Sequence, residues 1–282
     1  MSRYLAAAIQ MDTQDDREEN FRTLEKLIAQ AAEQGAKLIC MPECVTYLGR
    51  NIADAAEEVP GGPSFRFFSA QAKRHGVWLH CGSIYEKSGD QRPYNCTMLL
   101  NPQGELVARY RKLHPFDVVL PNGTSVRESD TIRPGDSIVT AQAGRLGRLG
   151  FAICYDMRFG ELFRLMALEG AQIFVVPANF TLATGKDHWL PLLRARAIEN
   201  GCYVIAPGQI GKKPQFEAFG HSLIIDPWGT VTACASHRPG VVLAEIDLDL
   251  EQQVRRQLFT LENRREDLYT LARKVPGEGS QG

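Results

Sequence analysis

Residues 150–162 read GFAICYDMRFGEL, and they join a predicted strand to a predicted helix. The short apolar run 149–153 predicts a buried strand, and apolar residues at helical spacing predict a helix beyond Glu161: Leu162, Phe163, Leu165, Met166 and Leu168. Cys154 therefore lies where the strand gives way to the helix, and N–H groups at a helix start stabilise a thiolate. A lone cysteine at such a junction is more often an inert core residue, so a nucleophilic role depends on two further charged residues.

The composition is that of an ordinary globular protein. The chain has 282 residues, of which 44% are apolar, and its formal net charge is −1. No polybasic stripe or acidic tail is present, so we expect neither nucleic acid nor membrane partners. The apolar residues after Tyr4 are too few for a signal peptide, and no apolar run approaches membrane-spanning length. These features predict a cytoplasmic protein.

The cysteine content points to the same compartment. The chain contains seven cysteines, an odd number, and most of them lie inside apolar runs. We expect them to be reduced core residues of a cytosolic protein. Cys40 and Cys44 do not predict a zinc site, because no second pair of Cys or His follows at ligand spacing.

Predicted strands and helices alternate along the chain. The predicted strands lie at about 4–11, 37–41, 77–84, 94–101, 106–112, 138–141, 146–153, 171–177, 202–206, 221–226, 230–235 and 241–246. Helices are predicted at about 18–34, 64–75 after a Ser64 cap, from 162 onward, 188–200 after an Asp187 cap, and 249–258 after an Asp247 cap. Residues 113–134 have no regular period and predict a functional loop. The pattern indicates an α/β layered fold in a single domain over residues 1–282, with a core of about 4–270 and a polar C-terminal tail.

Three residues with complementary chemistry follow three predicted strands. Glu43 comes after the second strand, and Lys112 and Cys154 end two later ones. In α/β folds the residues just past the carboxyl ends of strands gather at one edge of the sheet. A carboxylate can deprotonate a thiol and later protonate a leaving amine, and a fixed cation stabilises a tetrahedral oxyanion. His114 is the alternative base, in a Cys–His pair, but no residue clearly orients an imidazole there.

Three segments resemble the signature motifs of the nitrilase, or carbon–nitrogen hydrolase, superfamily. They are Met41-Pro42-Glu43, Tyr110-Arg111-Lys112-Leu113-His114, and the stretch from Gly150 through Cys154-Tyr155-Asp156 and Arg158-Phe159 to Glu161-Leu162. The resemblance covers residues from about 4 to 270. It implies a four-layer αββα sandwich that forms a dimer or a larger homo-oligomer through its helices.

The same resemblance implies the roles of the site residues. Cys154 would be the nucleophile, Glu43 the general base and acid, and Lys112 the group that stabilises the tetrahedral intermediate. A second glutamate in the loop after the lysine belongs to the family site, and Glu128 within Arg127-Glu128-Ser129 matches it. Glu128 is therefore expected to position Lys112 or the substrate. This covalent mechanism requires no metal or other cofactor.

Further segments narrow the resemblance to one branch of the superfamily. Tyr155-Asp156 after the cysteine is typical of amide-cleaving members, whereas the nitrile-cleaving branch has Trp-Glu there. The branch that contains deaminated glutathione amidase and ω-amidase is matched by Gly185-Lys186-Asp187-His188-Trp189, Leu193-Arg194-Ala195-Arg196-Ala197-Ile198-Glu199, Cys202-Tyr203, Gly220-His221-Ser222 and Asp226-Pro227-Trp228-Gly229. The run that ends at Glu199, together with Cys202-Tyr203, is closer to the former enzyme. Gly160 lies at a position where the former enzyme usually has proline. The glycine leaves the turn less constrained but removes no catalytic group.

Both enzymes of this branch hydrolyse an amide of a 2-oxo acid, which implies a small-molecule amide substrate and a thioester on the cysteine. ω-Amidase, acting on 2-oxoglutaramate or 2-oxosuccinamate, is the alternative. A substrate carboxylate needs a cation, and the expected substrate contacts are Tyr155, Arg158, Thr184 and Lys186. Three neighbouring aromatic residues are expected to be structural: His188, Trp189 and His221. A non-catalytic scaffold or metabolite-binding protein is the alternative of another class, and the intact set of Glu43, Lys112 and Cys154 weighs against it.

Overall fold

The computed structural model describes residues 3–119, 123 and 125–274. Its strands in chain order are Arg3–Gln10 (β1), Ala36–Cys40 (β2), Trp78–His80 (β3), Ile84–Glu86 (β4), Tyr94–Leu100 (β5), Leu106–Arg111 (β6), Asp117–Val119 (β7), Ser125–Arg127 (β8), Thr140–Gln142 (β9), Arg148–Phe151 (β10), Ile173–Val175 (β11), Tyr203–Ala206 (β12), Ile210–Lys212 (β13), Glu217–Phe219 (β14), Leu223–Ile225 (β15), Val231–Cys234 (β16) and Gly240–Asp247 (β17). Its α-helices are Arg17–Glu33 (α1), Pro63–His75 (α2), Gly160–Leu168 (α3), Leu182–Asn200 (α4) and Leu248–Leu258 (α5). The predicted polar tail beyond residue 274 lies outside the described residues.

Thirteen of the seventeen strands in the described ranges form two large sheets. The first has seven strands in the order β17-β1-β2-β3-β5-β4, with β6 also paired to β5. The second has six strands in the order β16-β15-β12-β11-β10-β9. In each sheet three adjacent strands are parallel: β1, β2 and β3 in the first, and β10, β11 and β12 in the second. Parallel strands align their carboxyl ends at one edge, which is where the candidate site lies.

Both faces of the first sheet are buried, as alternating side chains of β1 show. Ala6 and Ala8 belong to the core shared with the second sheet. Ala7 and Ile9 point the other way and pack with residues of α1 and α2, among them Leu24, Ile28 and Phe68. Successive side chains of a strand point to opposite faces, so a strand covered on both sides is apolar throughout.

The second sheet repeats this arrangement with the other pair of helices. Phe151 of β10 faces the first sheet, where its ring stacks on that of His80 with centroids 5.5 Å apart. On the opposite face Phe174 of β11 makes an edge contact with Phe163 of α3, and Trp189 of α4 belongs to the same core. The layers therefore follow the order α, β, β, α, and the predicted αββα sandwich is confirmed.

Most predicted elements are confirmed, but the single strand predicted at 77–84 is interrupted between His80 and Ile84, where Gly82 has a φ of 58°, and two predicted helix caps are wrong. At α2, Ser64 lies inside the first turn, and the carboxylate of Glu57 accepts the Ser64 backbone N–H at 2.6 Å. At α4, the helix begins at Leu182, and Thr181 is the cap, since its Oγ1 accepts the Thr184 N–H at 3.3 Å. The predicted cap of α5 is confirmed, because Asp247 accepts the N–H groups of Asp249 and Leu250.

Tertiary packing explains why the start of α4 was misplaced. Gly185 is a poor helix residue and suggests a loop. A Cβ atom at this position would collide with the ring of Phe219 in β14. The glycine is therefore needed for the close packing of the helix against β14, which its helix propensity does not reveal.

The loop predicted at 113–134 contains local structure in its described part. Strands β7 and β8 pair antiparallel, with Asp117 opposite Arg127, and a 3₁₀ turn follows at Glu128–Asp130. The hairpin is largely exposed, so it lacks the alternation of apolar residues by which strands are recognised. Residues 120–122 and 124 lie outside the described residues. Among the helices of the described ranges, none is long and apolar enough to cross a membrane.

The corrected start of α4 predicts the outcome of two alanine substitutions. Thr181→Ala removes the side chain that accepts the Thr184 N–H and should lower the free energy of unfolding by about 1 kcal/mol. Thr181→Ser keeps the acceptor and should stay close to wild type. Asp187→Ala should change stability by less than about 0.5 kcal/mol, as surface substitutions usually do. Urea denaturation of the three variants measures these differences, and a larger loss in Asp187→Ala would restore Asp187 as the cap.

Candidate active site

The site lies where strands from both sheets end. Glu43 follows β2 and Lys112 directly follows β6, both in the first sheet. Cys154 follows β10 in the second sheet. Lys112 Nζ lies 3.1 Å from Glu43 Oε1, and the charges of both residues act on the Cys154 thiol. The structure therefore brings together the three residues that the sequence placed at separate strand ends.

Lys112 is a buried cation held by two carboxylates. Its side chain is 2% exposed, and Nζ donates to Glu43 Oε1 at 3.1 Å and to the two oxygens of Glu128 at 3.1 and 2.8 Å. Burial by itself lowers the pKa of a lysine, but the negative charges of Glu128 and Glu43 outweigh it and hold the pKa of Lys112 well above its usual range. The ammonium is thus a fixed positive charge.

Glu43 is held by donors on both of its carboxylate oxygens. Oε1 accepts hydrogen bonds from Lys112 Nζ and, at 2.8 Å, from Asn95 Nδ2. Oε2 accepts the backbone N–H of Asn179 at 2.7 Å. The backbone carbonyl of Glu43 accepts a hydrogen bond from Gln209 Nε2 at 2.8 Å. These contacts fix the carboxylate in a single orientation in a buried position.

Cys154 occupies a tight turn between β10 and α3. Its φ of 49° lies in the left-handed region, which is uncommon for a residue with a side chain. The residue opens a 3₁₀ turn at Cys154–Arg158, and its backbone N–H donates to the carbonyl of Pro177 at 2.8 Å. Strain of this kind is concentrated at functional sites, where the surrounding structure enforces it.

The thiol of Cys154 is protonated at rest. Burial raises its pKa well above the usual range, and the negative charge of Glu43 raises it further, while the positive charge of Lys112 acts in the opposite direction. A helix-start position would by itself have lowered the pKa of this thiol. Burial and the nearby carboxylate prevail, so forming the thiolate requires a base.

Asp156 ties the cysteine turn to the lysine segment. This fully buried carboxylate accepts the backbone N–H of Ile153 at 2.8 Å and the hydroxyl of Tyr110 at 2.7 Å through Oδ2. Through Oδ1 it accepts the backbone N–H of His114 at 3.0 Å and contacts His114 Nδ1 at 2.7 Å. The sequence argument that nothing orients an imidazole at His114 is therefore wrong, because Asp156 does so.

The four residues expected to contact substrate differ in their surroundings. Tyr155 is half-buried and makes edge contacts with the rings of Phe116 and Phe159. Arg158 Nη2 lies 3.3 Å from His188 Nδ1, and its guanidinium carbon lies 5.7 Å from the centre of the Tyr155 ring.

The other two lie on α4. Thr184 Oγ1 lies 2.9 Å from the cap hydroxyl of Thr181, and the Lys186 side chain is exposed. Within the described part of the chain, no hydrogen bond joins Thr184 or Lys186 to the cluster of Glu43, Lys112, Glu128 and Cys154.

Four residues that organise this site were not predicted from the sequence: Asn95, Asp156, Asn179 and Gln209. Asn95 carried a detectable signal, since it is a polar residue in the largely apolar run Tyr94–Leu100. Gln209 gave none, because its contact with Glu43 joins positions 166 residues apart in the chain. No group of three or more His, Cys, Asp or Glu side chains in the described ranges could hold a metal ion.

Comparisons with known proteins agree with this geometry. The family model described as Carbon-nitrogen hydrolase matches residues 5–256. Deaminated glutathione amidase of Mus musculus is 42% identical over 272 residues, spanning 94% of this chain and 84% of that protein. Deaminated glutathione amidase of Synechocystis sp. is 42% identical over 270 residues, spanning 94% and 99%. The crystal structure of the C. elegans NitFhit protein superposes with a TM-score of 0.89 at 36% identity, covering 96% of this chain and 67% of that one.

These matches confirm the resemblance that the three motifs indicated. The span matched by the family model, residues 5–256, includes all three motif residues: Glu43, Lys112 and Cys154. The chain therefore belongs to the carbon–nitrogen hydrolase family of the nitrilase superfamily, whose members are hydrolases of carbon–nitrogen bonds other than peptide bonds.

Proposed function

We propose that this chain is a cysteine-dependent amidase that hydrolyses an amide of a 2-oxo acid, with deaminated glutathione as the preferred substrate. The observation that carries the proposal is the buried contact of Glu43 with Lys112, whose charges both act on the Cys154 thiol. Two relatives that match 94% of the chain are named deaminated glutathione amidase, which supports the choice of substrate.

In the acylation half-reaction, Cys154 Sγ attacks the carbonyl carbon of the amide, and the thiol proton passes to the Glu43 carboxylate. The carbonyl oxygen becomes an oxyanion, which the Lys112 ammonium stabilises. When this intermediate collapses, the carbon–nitrogen bond breaks and Glu43 returns its proton to the departing amine. The acyl group remains on Cys154 as a thioester.

In the deacylation half-reaction, water attacks the thioester carbon and Glu43 takes a proton from that water. Lys112 stabilises the second oxyanion in the same way as the first. The carbon–sulfur bond then breaks, the 2-oxo acid leaves with its new carboxyl group, and the thiol regains its proton from Glu43. The raised pKa of the Cys154 thiol makes such a base necessary in the first step.

Glu128 is proposed to hold Lys112 rather than to transfer protons. Both of its oxygens accept hydrogen bonds from Lys112 Nζ, and Oε2 also accepts the backbone N–H of Phe116 at 2.5 Å. An ammonium held by two carboxylates keeps one position while charge develops on the substrate. Preorganisation of this kind is a large contribution to enzymatic rate enhancement.

Glu43 is a better candidate for the base than His114. The Glu43 charge acts directly on the Cys154 thiol, whereas His114 Nδ1 is occupied by Asp156 Oδ1. The His114 ring also lies flat against that of Phe159, with centroids 3.6 Å apart. These contacts support a structural role for His114, in which it anchors the segment that follows Lys112.

The substrate carboxylate is proposed to bind Arg158. This residue lies four positions beyond Cys154 in the same 3₁₀ turn and is half-buried, and its guanidinium carbon lies 5.7 Å from the centre of the Tyr155 ring and 5.4 Å from that of Phe180. A planar guanidinium can bind a carboxylate through two parallel hydrogen bonds. Tyr155, Thr184 and Lys186 remain proposed contacts for the rest of the substrate.

We also propose that the chain is one domain that assembles into a homodimer or larger homo-oligomer in the cytoplasm. Trp228 and Ile198 are exposed apolar side chains at one corner of the protein. They lie near each other because Gly229, which follows Trp228 in the chain, is so close to Ile198 that a Cβ on Gly229 would touch it. A second copy that covers this corner would remove their apolar surface from water. The seven cysteines are all free thiols, which supports a reducing compartment.

The nucleophile can be tested by a single substitution. Cys154→Ala should abolish turnover while leaving the fold intact, because the covalent acyl-enzyme cannot form. With a slow amide substrate, mass spectrometry of the wild type should find the acyl adduct on the Cys154 peptide. An adduct on Cys44, which lies next to Glu43 in the chain, would contradict the assignment.

Substitutions at three positions can distinguish the proposed base, Glu43, and the proposed oxyanion-stabilising cation, Lys112, from the alternative base, His114. Glu43→Gln and Lys112→Ala should each lower kcat by roughly a hundredfold or more, the usual scale for the loss of such a group. His114→Asn removes the imidazole but keeps a side-chain donor within reach of Asp156, and should stay within about tenfold of wild type. A reversed order of these effects would identify a Cys–His hydrolase instead.

The substrate is tested by comparing amides side by side. We expect kcat/KM for deaminated glutathione to exceed that for 2-oxoglutaramate by at least about tenfold, which needs about 1.4 kcal/mol of additional transition-state binding. A preference for 2-oxoglutaramate or 2-oxosuccinamate would favour ω-amidase. Failure to hydrolyse any 2-oxo acid amide, with Glu43, Lys112 and Cys154 intact, would favour a scaffold or metabolite-binding role.

A further inference from the structure

In the described part of the chain, Asn95 has the only side-chain amide that donates a hydrogen bond to the Glu43 carboxylate. It belongs to β5, is 1% exposed, and donates from Nδ2 to Glu43 Oε1 at 2.8 Å. Its own Oδ1 is buried and has no hydrogen-bond partner among the described residues. The single polar contact of this buried side chain is therefore the Glu43 carboxylate.

An unpartnered buried carbonyl is unfavourable, so Asn95 is not explained by stability. Leaving a buried acceptor without a donor destabilises a fold, and an apolar residue of similar size would avoid that loss. The amide cannot turn over to relieve it, because Oδ1 would then face the negatively charged Glu43 Oε1. The orientation of Asn95 is thus dictated by Glu43 alone.

The donors around Glu43 make its two oxygens unequal. Oε1 receives two side-chain donors, Asn95 Nδ2 and Lys112 Nζ. Oε2 receives one donor, the backbone N–H of Asn179. A carboxylate oxygen that already accepts two hydrogen bonds has little capacity for a proton, whereas Oε2 keeps a free lone pair.

We propose that Asn95 is a positioning residue that fixes the Glu43 rotamer, stabilises its carboxylate form and assigns proton transfer with Cys154 to Glu43 Oε2. This inference rests on the proposed role of Glu43 as the base. It deepens that role, because it names the oxygen that carries the proton and the neutral donor that keeps the other oxygen occupied.

Several titratable groups face Glu43, and Asn95 differs from all of them in being neutral at every pH. The titratable groups are the side chains of Cys44, Tyr85, Lys112, Glu128 and Cys154. Burial raises the pKa of the Cys44 and Tyr85 side chains, so both are uncharged near neutrality. A hydrogen bond donated to a carboxylate favours its charged form, and removing that donor makes protonation easier. When Asn95 is replaced, the rate at which Cys154 is alkylated should therefore begin to fall at a higher pH.

The test measures the pH dependence of Cys154 alkylation by iodoacetamide, followed on the Cys154 peptide by mass spectrometry in the full-length protein. The acidic limb of the pH–rate profile is the range in which the alkylation rate falls as the pH is lowered. Asn95→Ala should move this limb to higher pH by about one unit, the scale expected for one charge-assisted hydrogen bond. Asn95→Asp keeps the shape but replaces the donor with a second carboxylate, so the limb should move further in the same direction. With an amide substrate, kcat/KM of Asn95→Ala should fall about tenfold below the limb and recover above it.

Thr97→Val is the matched control. Thr97 lies two positions along the same strand and is equally buried, but its hydroxyl contacts His80 Nε2 at 3.3 Å rather than Glu43. This variant should lose stability without moving the acidic limb. Circular dichroism over the same pH range must show that each variant remains folded, because an unfolded fraction would be alkylated with the pH dependence of a free thiol.

An unmoved limb in both Asn95 variants would overturn the inference and leave Asn95 a structural residue. An equal shift of the acidic limb in Thr97→Val would also overturn the inference, because the shift would then result from disturbing the strand and not from losing the Asn95 amide. Alkylation requires no amide substrate. Failure of wild type to hydrolyse 2-oxo acid amides would therefore contradict the proposed function, while the alkylation profiles would still decide the role of Asn95.

Discussion

The site depends on a buried ammonium held between two carboxylates. Moving the Lys112 charge out of water is unfavourable, and only close contact with Glu43 and Glu128 compensates for it. Two carboxylates against one ammonium leave the surroundings of Cys154 negative. Burial raises the pKa of the Cys154 thiol, and the charges of Glu43 and Glu128 raise it further, so the thiol is protonated at rest although Lys112 lies nearby. The arrangement therefore suits a thiol that loses its proton only when it attacks, rather than one kept permanently as a thiolate.

The proposed chemistry also requires the two sheets to be held in a fixed relative position. Glu43 and Lys112 come from the first sheet, whereas Cys154 and Asn179 follow strands of the second. Their alignment depends on the packing between the sheets and on polar contacts that cross it. The hydroxyl of Tyr110 in β6 donates to Asp156 in the cysteine turn, and the Tyr4 hydroxyl in β1 donates to the Leu146 carbonyl beside β10. Such contacts limit sliding of one sheet over the other, which would separate the base from the nucleophile.

The sequence by itself determined the layered α/β fold and the positions of the charged residues. Alternating apolar runs and helical spacing depend on local chemistry, so they can be read without knowing any long-range contact. Glu43, Lys112 and Cys154 were found because each directly follows a strand and because the motifs around them resemble those of a family. The cap of α5 was also predicted correctly, since Asp247 bonds backbone groups only two and three residues away.

Features that depend on residues distant in the chain became visible only in the tertiary structure. Asp187 was mistaken for the cap of α4 because Gly185 reads as a loop residue until the ring of Phe219 is seen against it. Asp156 was not recognised as the partner of His114, since 42 residues separate them. The resting protonation of Cys154 likewise follows from burial and from Glu43, which prevail over the local effect of a helix start. Burial and electrostatic coupling are properties of the packed chain, and no local pattern in the sequence specifies them.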